Sequence, residues 1–518
     1  MNNYIFKGSA AILLLACGSP LLFAQGYTAA ALEKLKQEKL WFHTSNAAGQ
    51  VLDNTQNYSE VEFKYEITDG SFHRPQQGQN QKSFDVNCEG FMNLTNAFVW
   101  GEFSFEQRNI NESRFNASIC DPYRGMPYFM ADEHVSDWRN QYYNMKFRAS
   151  TPLYWGHVAF GVEGVYRAAL AAKQLDPRVD TRYFQLEIAP GVVWHINKNH
   201  NIGANFYYSA LKEDSRMQNV NVQTPQTYYL LYGLGVAAKN IGDGESMDYH
   251  GHILGFGAQY NFRAGIADVM AQVDYTSRVE NFDRDFTDPK KDAGVDDKIW
   301  KYGVTAQFLG SRWNNQVTLK GQTGKLKGIQ YINEFDNSEG FNGWVDIARN
   351  VRSEFKTQTL GADYTLFRNR CCGDYVWRLD AGLNYMKNDD KYILPYSYRN
   401  SENLYTNVDF KYNFKIGKSL KRRLLVGVGG GYNANLSGTY MYGGVNEDYP
   451  TVTELEMGDW QYMTSNWYNL KASAEYSQQL SKSQKMNFFG RAEFNYVKTS
   501  DYDFNHRSYV NVAIGVNF

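Results

Sequence analysis

The chain has 518 residues and a formal charge of -2, with 53 Lys and Arg set against 55 Asp and Glu. That balance excludes the strongly basic footprint of a nucleic-acid binder. Aromatic residues reach 16%, and no apolar run beyond residue 24 approaches the ~20 residues a spanning helix needs, which excludes a helical membrane protein.

The N-terminus, "MNNYIFKGSAAILLLACGSPLLFAQG", carries one Lys, an apolar run through Leu15 and the small Ala24 before Gln25. It reads as a secretory signal peptide over residues 1–24, cut after Ala24. "LLAC" offers a lipoprotein signal with Cys17 as the lipidated residue, but "PLLFA" would then remain on the mature chain, where it instead extends a cleavable signal. Residues 25–56 form a second unit. Its first part is rich in Ala, Leu, Lys and Glu, with Leu32, Leu35, Leu40 and Trp41 apolar, and predicts a short helix.

From residue 57 to 518 the pattern changes to a period of two, the signature of strands with one apolar face. "IWKYGVTAQF", "YVWRLDAGLNYM", "LYTNVDFKYNFKI", "WYNLKASAEY", "MNFFGRAEFNYV" and the terminal "SYVNVAIGVNF" all alternate. In the last of these Val510, Val512, Ile514, Val516 and Phe518 share one face and Asn511, Ala513, Gly515 and Asn517 the other. Runs of about ten residues or more exceed the usual strand of about five or six and match the ~9 to 11 that a tilted transmembrane strand requires. Aromatics at the ends of the apolar face, Tyr375 and Tyr385, Tyr468 and Tyr476, Trp300 and Phe308, predict interfacial girdles.

The connections fall into two alternating classes. Short turns such as "NLTN", "NKNHN", "FRAG" and "RNRCCGD" alternate with long polar loops over residues 108–140, 212–249, 281–297, 326–350 and 436–462. This is the asymmetry of a bacterial outer-membrane barrel. The expected fold is therefore all-β: a transmembrane antiparallel β-barrel of about 18 strands, within 16 to 20, with a short N-terminal helical segment lying in the periplasm or in the barrel mouth. A soluble β-sandwich is the alternative, but strands this long with Arg, Glu, Lys and Asp on one face fit it poorly.

The alternate residues of each strand should line the lumen. Candidates are Glu163, Arg167, Asp268, Asp274, Arg378, Asp380, Lys471, Glu475, Arg491 and Glu493, read as near neighbours along each strand: Glu163 with Arg167, Asp268 and Asp274 with Arg278, Arg378 with Asp380, Asp409 with Lys411, Lys471 with Glu475, and Arg491 with Glu493. Mixed sign suits a salt-bridged interior or a weakly selective pore, whereas a strongly ion-selective channel would show one sign.

Sites for chemistry are sparse. "MADEHVSDW" places His134 near Asp132, Glu133 and Asp137, an acid/base cluster at a barrel rim without a nucleophile. His250 and His252 lack a third metal ligand. "DRDFTDPKKDAGVDD" offers Asp283, Asp285, Asp288, Asp292, Asp296 and Asp297 to calcium without the spacing of a calcium loop. "GVGGGY" lies inside a strand and is no phosphate cradle. Cys88, Cys120, Cys371 and Cys372 are too few for a disulfide framework, and the Cys371–Cys372 pair sits in a turn. No catalytic residue, cofactor or metal site is expected.

Phe518, preceded by apolar residues at every second position, resembles the C-terminal signal by which outer-membrane barrels are recognised for assembly. "AFVWGEFSFEQRNIN" followed by "DPYRGMPYFMADE" resembles an uncharacterised outer-membrane β-barrel family of Bacteroidota, matched at Trp100, Gly101, Pro122, Tyr123, Pro127 and Tyr128. Members of that family often lie near TonB-dependent uptake genes, and the resemblance implies nutrient or metal acquisition. "SNAAG" at residues 45–49 is similar to the Asn-Pro-Ala segment in the N-terminal hatch of fatty-acid-transporter barrels, with Ala47 in place of the proline.

Together these readings imply a channel or uptake component for a small solute in the cell outer membrane. Its partners would be outer-membrane lipid and the barrel assembly machinery. Two alternatives remain: a non-conducting accessory docked on a TonB-dependent transporter or surface lipoprotein, and a rim-site hydrolase.

Overall fold

The computed structural model describes residues 27–518 except 222, 225, 339–341, 371–372, 418–421 and 481–485. The expected signal peptide over residues 1–24, with Cys17, and the Cys371–Cys372 pair lie outside the described residues. Eighteen antiparallel strands form one closed sheet in which each strand pairs with its sequence neighbours, and the first, Tyr58–Asp69, pairs with the last, His506–Asn517. The count is the one expected from the turns. Closure joins Phe63 to Ile514 and Tyr65 to Val512, and the Phe518 amide donates to Ser59 O at 2.8 Å.

The outer surface is apolar. Leu360 (62% exposed), Val428 (58%) and Ile514 (53%) point away from the barrel, whereas the adjacent Ala513 is 1% exposed. Trp300, Phe308 and Tyr468 are exposed on this face as expected. An apolar outer belt suits hydrocarbon, and the closed sheet leaves no strand edge unpaired. No described helix is long and apolar enough to cross a bilayer.

Tyr375 corrects the girdle expectation. Arg368 pairs with Trp377 and Asn369 with Tyr375, so Val376 is the extra residue of a bulge. A bulge shifts the alternation by one, and Tyr375 turns inward, fully buried.

Two of the five expected long loops are largely strand. Residues 281–297 are mostly taken up by Ala267–Arg284 and Lys290–Leu309, and 326–350 by Trp313–Asp336 and Gly343–Asn369. The last two make a ribbon that outruns its neighbours. The preceding strand stops pairing at Ala293–Gln330 and the following one at Ser353–Tyr392, while Tyr331–Arg349 and Phe335–Trp344 still pair with each other. Charged residues alternate in these segments as they do inside the barrel, so polarity alone did not distinguish a projecting strand from a loop.

The remaining long loops fold back into the barrel. Residues 226–242, which contain "YYLLYGLGV", form the hairpin Gln226–Gly233 and Val236–Gly242, and Met130–Ala131 adds a third strand outside the barrel sheet. Ile119, Met126, Tyr128, Phe129, Tyr229 and Leu230 from these loops pack on the wall residues Trp138, Met217, Tyr249, Phe282, Val295 and Leu326. The main hydrophobic core thus lies within the loop-side half of the lumen. Helix Met457–Thr464 packs beside it, on the strands Ser397–Lys415 and Arg422–Met441.

Candidate functional site

The N-terminal segment occupies the opposite half of the lumen. Helix Ala29–Gln37 starts at Thr28, whose side chain accepts from the Ala31 amide, a usual N-cap. Its small residue Ala30 packs against Phe367, Tyr375 and Leu425, while Leu32 packs against Tyr58, Phe91 and Trp100. Polar residues of the same helix reach opposite arcs of the wall. Glu33 accepts from Tyr375 Oη at 2.6 Å, Arg378 at 2.8 Å and Lys411 at 2.6 Å; Lys36 donates to Glu89 at 2.6 Å.

Beyond the helix the chain crosses to the remaining strands. Arg148 donates to Phe42 O at 2.6 Å and Thr44 O at 3.0 Å and also pairs with Glu163. Ser45 donates to Asp274 at 2.6 Å. The Asn46 amide donates to Val192 O, Ala204 O and Gln259, and its carbonyl accepts from Ala48 N at 3.0 Å. Arg263 donates to Leu52 O at 2.8 Å and pairs with Asp268 at 2.9 Å. The Asp53 carboxylate accepts from the Trp41 and Phe42 amides; burial pushes it up to about 6, against the opposing pull of those amides, Arg263 and Lys39.

Two wall glycines allow this close approach. A Cβ on Gly161 would lie 2.3 Å from Ala48 N, and one on Gly191 2.2 Å from Asn46 Oδ1. "SNAAG" is therefore the part of the plug seated most tightly on the wall.

The loop-side plug is latched by charge. Arg124 pairs with Glu213 at 2.9 Å and with Glu280, both carboxylates fully buried. Glu213 also accepts from the Cys120 amide at 2.6 Å. Arg278 donates to Arg124 O and Gly125 O. Helix Met457–Thr464 is tied by Asp459, which accepts from Arg74 Nε at 2.7 Å and lies 3.4 Å from Arg399. Burial raises the Asp459 carboxyl, but Arg74 and Arg399 outweigh this and hold it below its ordinary value.

The family-motif positions divide between the two plugs. Trp100 donates to Glu89 and supports Leu32, and its neighbour Gly101 lies in the same strand, Ala97–Ser113. Pro122 adjoins Tyr123, whose ring lies under Arg74 at 4.1 Å. Pro127 lies against Gly233, and buried Tyr128 against Gly328.

Beside the N-terminal plug, against strands 267–517, is a cavity of about 1170 Å³. Gln37, His43 and Thr44 of the plug contribute to its lining together with wall residues including Gln272, Thr318, Asn384 and Asn511. Six of its charges pair with one another, Lys320 with Asp363 at 2.7 Å, Arg378 with Asp380 at 2.6 Å, and Lys471 with Asp409 at 3.4 Å, while Lys411 reaches Glu33 and Glu493 reaches Arg491. Neither sign dominates, so the chamber is not built for strong ion selectivity.

All ten lumen candidates make inward contacts, though several with partners other than those expected. Arg378, Asp380, Lys471 and Glu493 line the cavity. Glu163, Asp268 and Asp274 anchor the N-terminal segment or the residues that hold it. Arg491 pairs with Glu62 and Glu493, as well as with Glu475. Along one strand only Arg378–Asp380 and Arg491–Glu493 pair as read. Arg167 pairs instead with Glu187, Arg278 with Asp297 and Glu280, and Lys411 with Glu33. Directly opposed cross-strand residues lie ~4.5 to 5.5 Å apart, nearer than two positions along a strand.

His134 Nδ1 does meet Asp132, at 2.6 Å. That carboxylate is also committed to the buried Lys173, and the Asp132 carbonyl to the Phe115 amide, which makes the cluster an anchor for the loop. The loop aspartates disperse: Asp292 pairs with Arg284, Asp296 with Lys298 and Asp297 with Arg278.

Residues 47–518 match the model of a family of unknown function, DUF6850. The chain belongs to this family. The matched region begins inside the plug, at the residues seated on Gly161, and includes every barrel strand. No curated protein matches the sequence. Among solved structures it is similar to BauA, the ferric preacinetobactin receptor from Acinetobacter baumannii, with a TM-score of 0.41 and 8% identity over 89% of this chain and 80% of that one. It is also similar to the ferric yersiniabactin uptake receptor FyuA from Yersinia pestis, with a TM-score of 0.40 and 7% identity over 89% and 80%. A third is OpdK from Pseudomonas aeruginosa, with a TM-score of 0.34 and 11% identity over 89% and 98%.

Proposed function

We propose that the protein is an outer-membrane uptake barrel for a small solute, held in a resting state in which both halves of the lumen are filled. The observation that carries this reading is the cavity of about 1170 Å³ left between the N-terminal plug and the wall. Its amide, hydroxyl and charged groups are suited to a small polar solute, and movement of the N-terminal plug would open it. Phe518 would serve barrel assembly, and acquisition beside a TonB-dependent system fits the resemblance of the motif residues.

Conductance of the purified full chain in a planar bilayer tests this. Brief openings that lengthen when the N-terminal plug is loosened are expected. A folded barrel that stays silent at every voltage overturns uptake and favours the second reading, a non-conducting accessory to a TonB-dependent transporter or surface lipoprotein. That reading is favoured by the projecting ribbon, where Ile332, Phe335, Trp344 and Ile347 are exposed beyond the rest of the barrel. Hydrolysis at the rim gains nothing from Asp132 and His134, whose contacts serve the loop.

A further inference from the structure

The outer wall carries a cluster that the lumen does not use. On strand Gly244–Ala264, Met247 and Tyr249 are fully buried inward, so Asp248 and His250 face outward by alternation. The adjacent strand, Ala267–Arg284, buries Phe282 inward and turns Asp283 outward. Register sets Asp248 directly opposite Asp283, and His250 opposite Asn281.

His250 Nδ1 is 3.8 Å from Asp248 Oδ2 and 3.7 Å from Asp283 Oδ2. The three potential ligand atoms all lie within 4.8 Å of one another, a spacing that one cation at ~2.0 to 2.2 Å from each can bridge with small side-chain adjustment. Two carboxylates opposed across a ladder destabilise it unless a positive charge lies between them. Lys212 supplies part of that charge, 3.9 Å from Asp248 Oδ1, but it sits closer to Asp214, at 3.0 Å. Asp248 Oδ1 and Asp283 Oδ1 are both buried without a hydrogen-bond partner, so each carboxylate keeps unused acceptor capacity. On the far side of the imidazole, Asn281 Nδ2 lies 3.5 Å from Nε2; a cation on Nδ1 would require this amide to turn so that its oxygen accepts from Nε2–H.

We infer that Asp248, His250 and Asp283 form a binding site for a divalent transition-metal cation on the outer wall. One imidazole with two carboxylates suits zinc or a similar ion better than calcium, which prefers an all-oxygen set. The site lies beyond the exposed apolar residues Leu254, Phe256 and Val279 of the same two strands, so the remaining coordination positions open above the apolar belt. His252 does not take part: its Nδ1 bonds Tyr208 Oη at 3.0 Å and its ring stacks on that tyrosine. The third ligand missing from the His250–His252 pair in the sequence is supplied across strands.

The test is titration of the purified full chain in detergent with zinc by calorimetry and with cobalt(II) by its visible absorption. One saturable equivalent is expected, with the cobalt bands of a nitrogen–oxygen site. His250→Ala and Asp283→Asn should each weaken binding by about tenfold or more, ~1.4 kcal/mol, while His252→Ala leaves it unchanged. All three substituted residues face outward, so heat-modifiable mobility should confirm that every variant is a folded barrel. Absence of saturable binding in the wild type overturns the proposal. So does binding that persists in Asp283→Asn, or that falls equally in His252→Ala, since either marks an adventitious ion only.

Discussion

Glu33 of the N-terminal helix accepts a 2.6 Å hydrogen bond from Tyr375, a residue whose place in the alternation would have sent it to lipid. The bulge at Val376 supplies the plug with a wall contact that Arg378 and Lys411 then surround. Burial raises the Glu33 carboxyl, but the two cations outweigh burial and hold it below its ordinary 4.5. A depressed carboxyl contributes its stabilisation above the unfolded value and loses it as pH falls through the folded one. Acidification below the ordinary glutamate range should therefore loosen the plug, read as a rise in open probability in planar bilayers. Glu33→Gln should raise openings at neutral pH, with charge-assisted bonds worth ~1.5 to 3 kcal/mol lost, and should remove the acid step. An unchanged acid step in that variant would assign the response to other groups.

The loop-side plug should be the more fragile to loss of a single residue. Arg124→Ala leaves Glu213 and Glu280 facing each other without their shared cation, and breaking a buried pair costs about 3 to 5 kcal/mol. The barrel wall has its own pairing throughout, so release of residues 114–135 is expected rather than unfolding. Limited proteolysis of the intact protein should show new cleavage in that loop. Adding Glu213→Gln and Glu280→Gln to Arg124→Ala should restore much of the protection; unchanged protection in the single variant would show that apolar packing alone holds the loop.

The sequence was informative where one constraint acts alone. Along 508–518 only lipid and lumen compete for the two faces, and the alternation placed Ile514 outside and Ala513 inside as found. The turn pattern likewise led to 18 strands because each short turn is local. Features set by contacts between distant residues were hidden. Lys411 reads as a partner for Asp409 until Glu33 arrives from the N-terminal helix. Wall residues such as Tyr249 and Phe282 fill an interior expected to be polar, and only the folded-back loops explain them. "SNAAG" announced a hatch by resemblance, but the recess that receives it is formed by Gly161 and Gly191, which look like ordinary strand glycines.

That recess gives a way to move the N-terminal plug without removing a charge. A Cβ at Gly161 would come within 2.3 Å of Ala48 N and 2.6 Å of its Cα. These are backbone atoms, so the 45–49 turn must shift. Gly161→Ala should keep a folded, heat-modifiable barrel while lengthening openings in planar bilayers. A second variant, Gly490→Ala, lies on a barrel strand with open space around it and should leave conductance unchanged. Equal conductance of the two would mean that the plug does not limit passage.

The terminal strand allows the lipid-facing assignment itself to be tested. Ile514 points outward opposite Phe63 and is 53% exposed. Asn511 points inward, lines the cavity and donates to Glu493 at 2.8 Å. Arginine at a lipid-facing position near the bilayer midplane costs ~2 to 4 kcal/mol, whereas lumen substitutions mainly tune selectivity. At position 511 an arginine would meet Glu493, whose charge offsets its own. Ile514→Arg should therefore lower the yield of heat-modifiable barrel and its denaturation midpoint, and Asn511→Arg should change neither greatly. Both substitutions add the same side chain three residues apart on one strand, so a difference between them reports the medium each face meets. Equal losses would count against a bilayer on the outer face, because a barrel immersed in water would treat the outward arginine as the cheaper of the two.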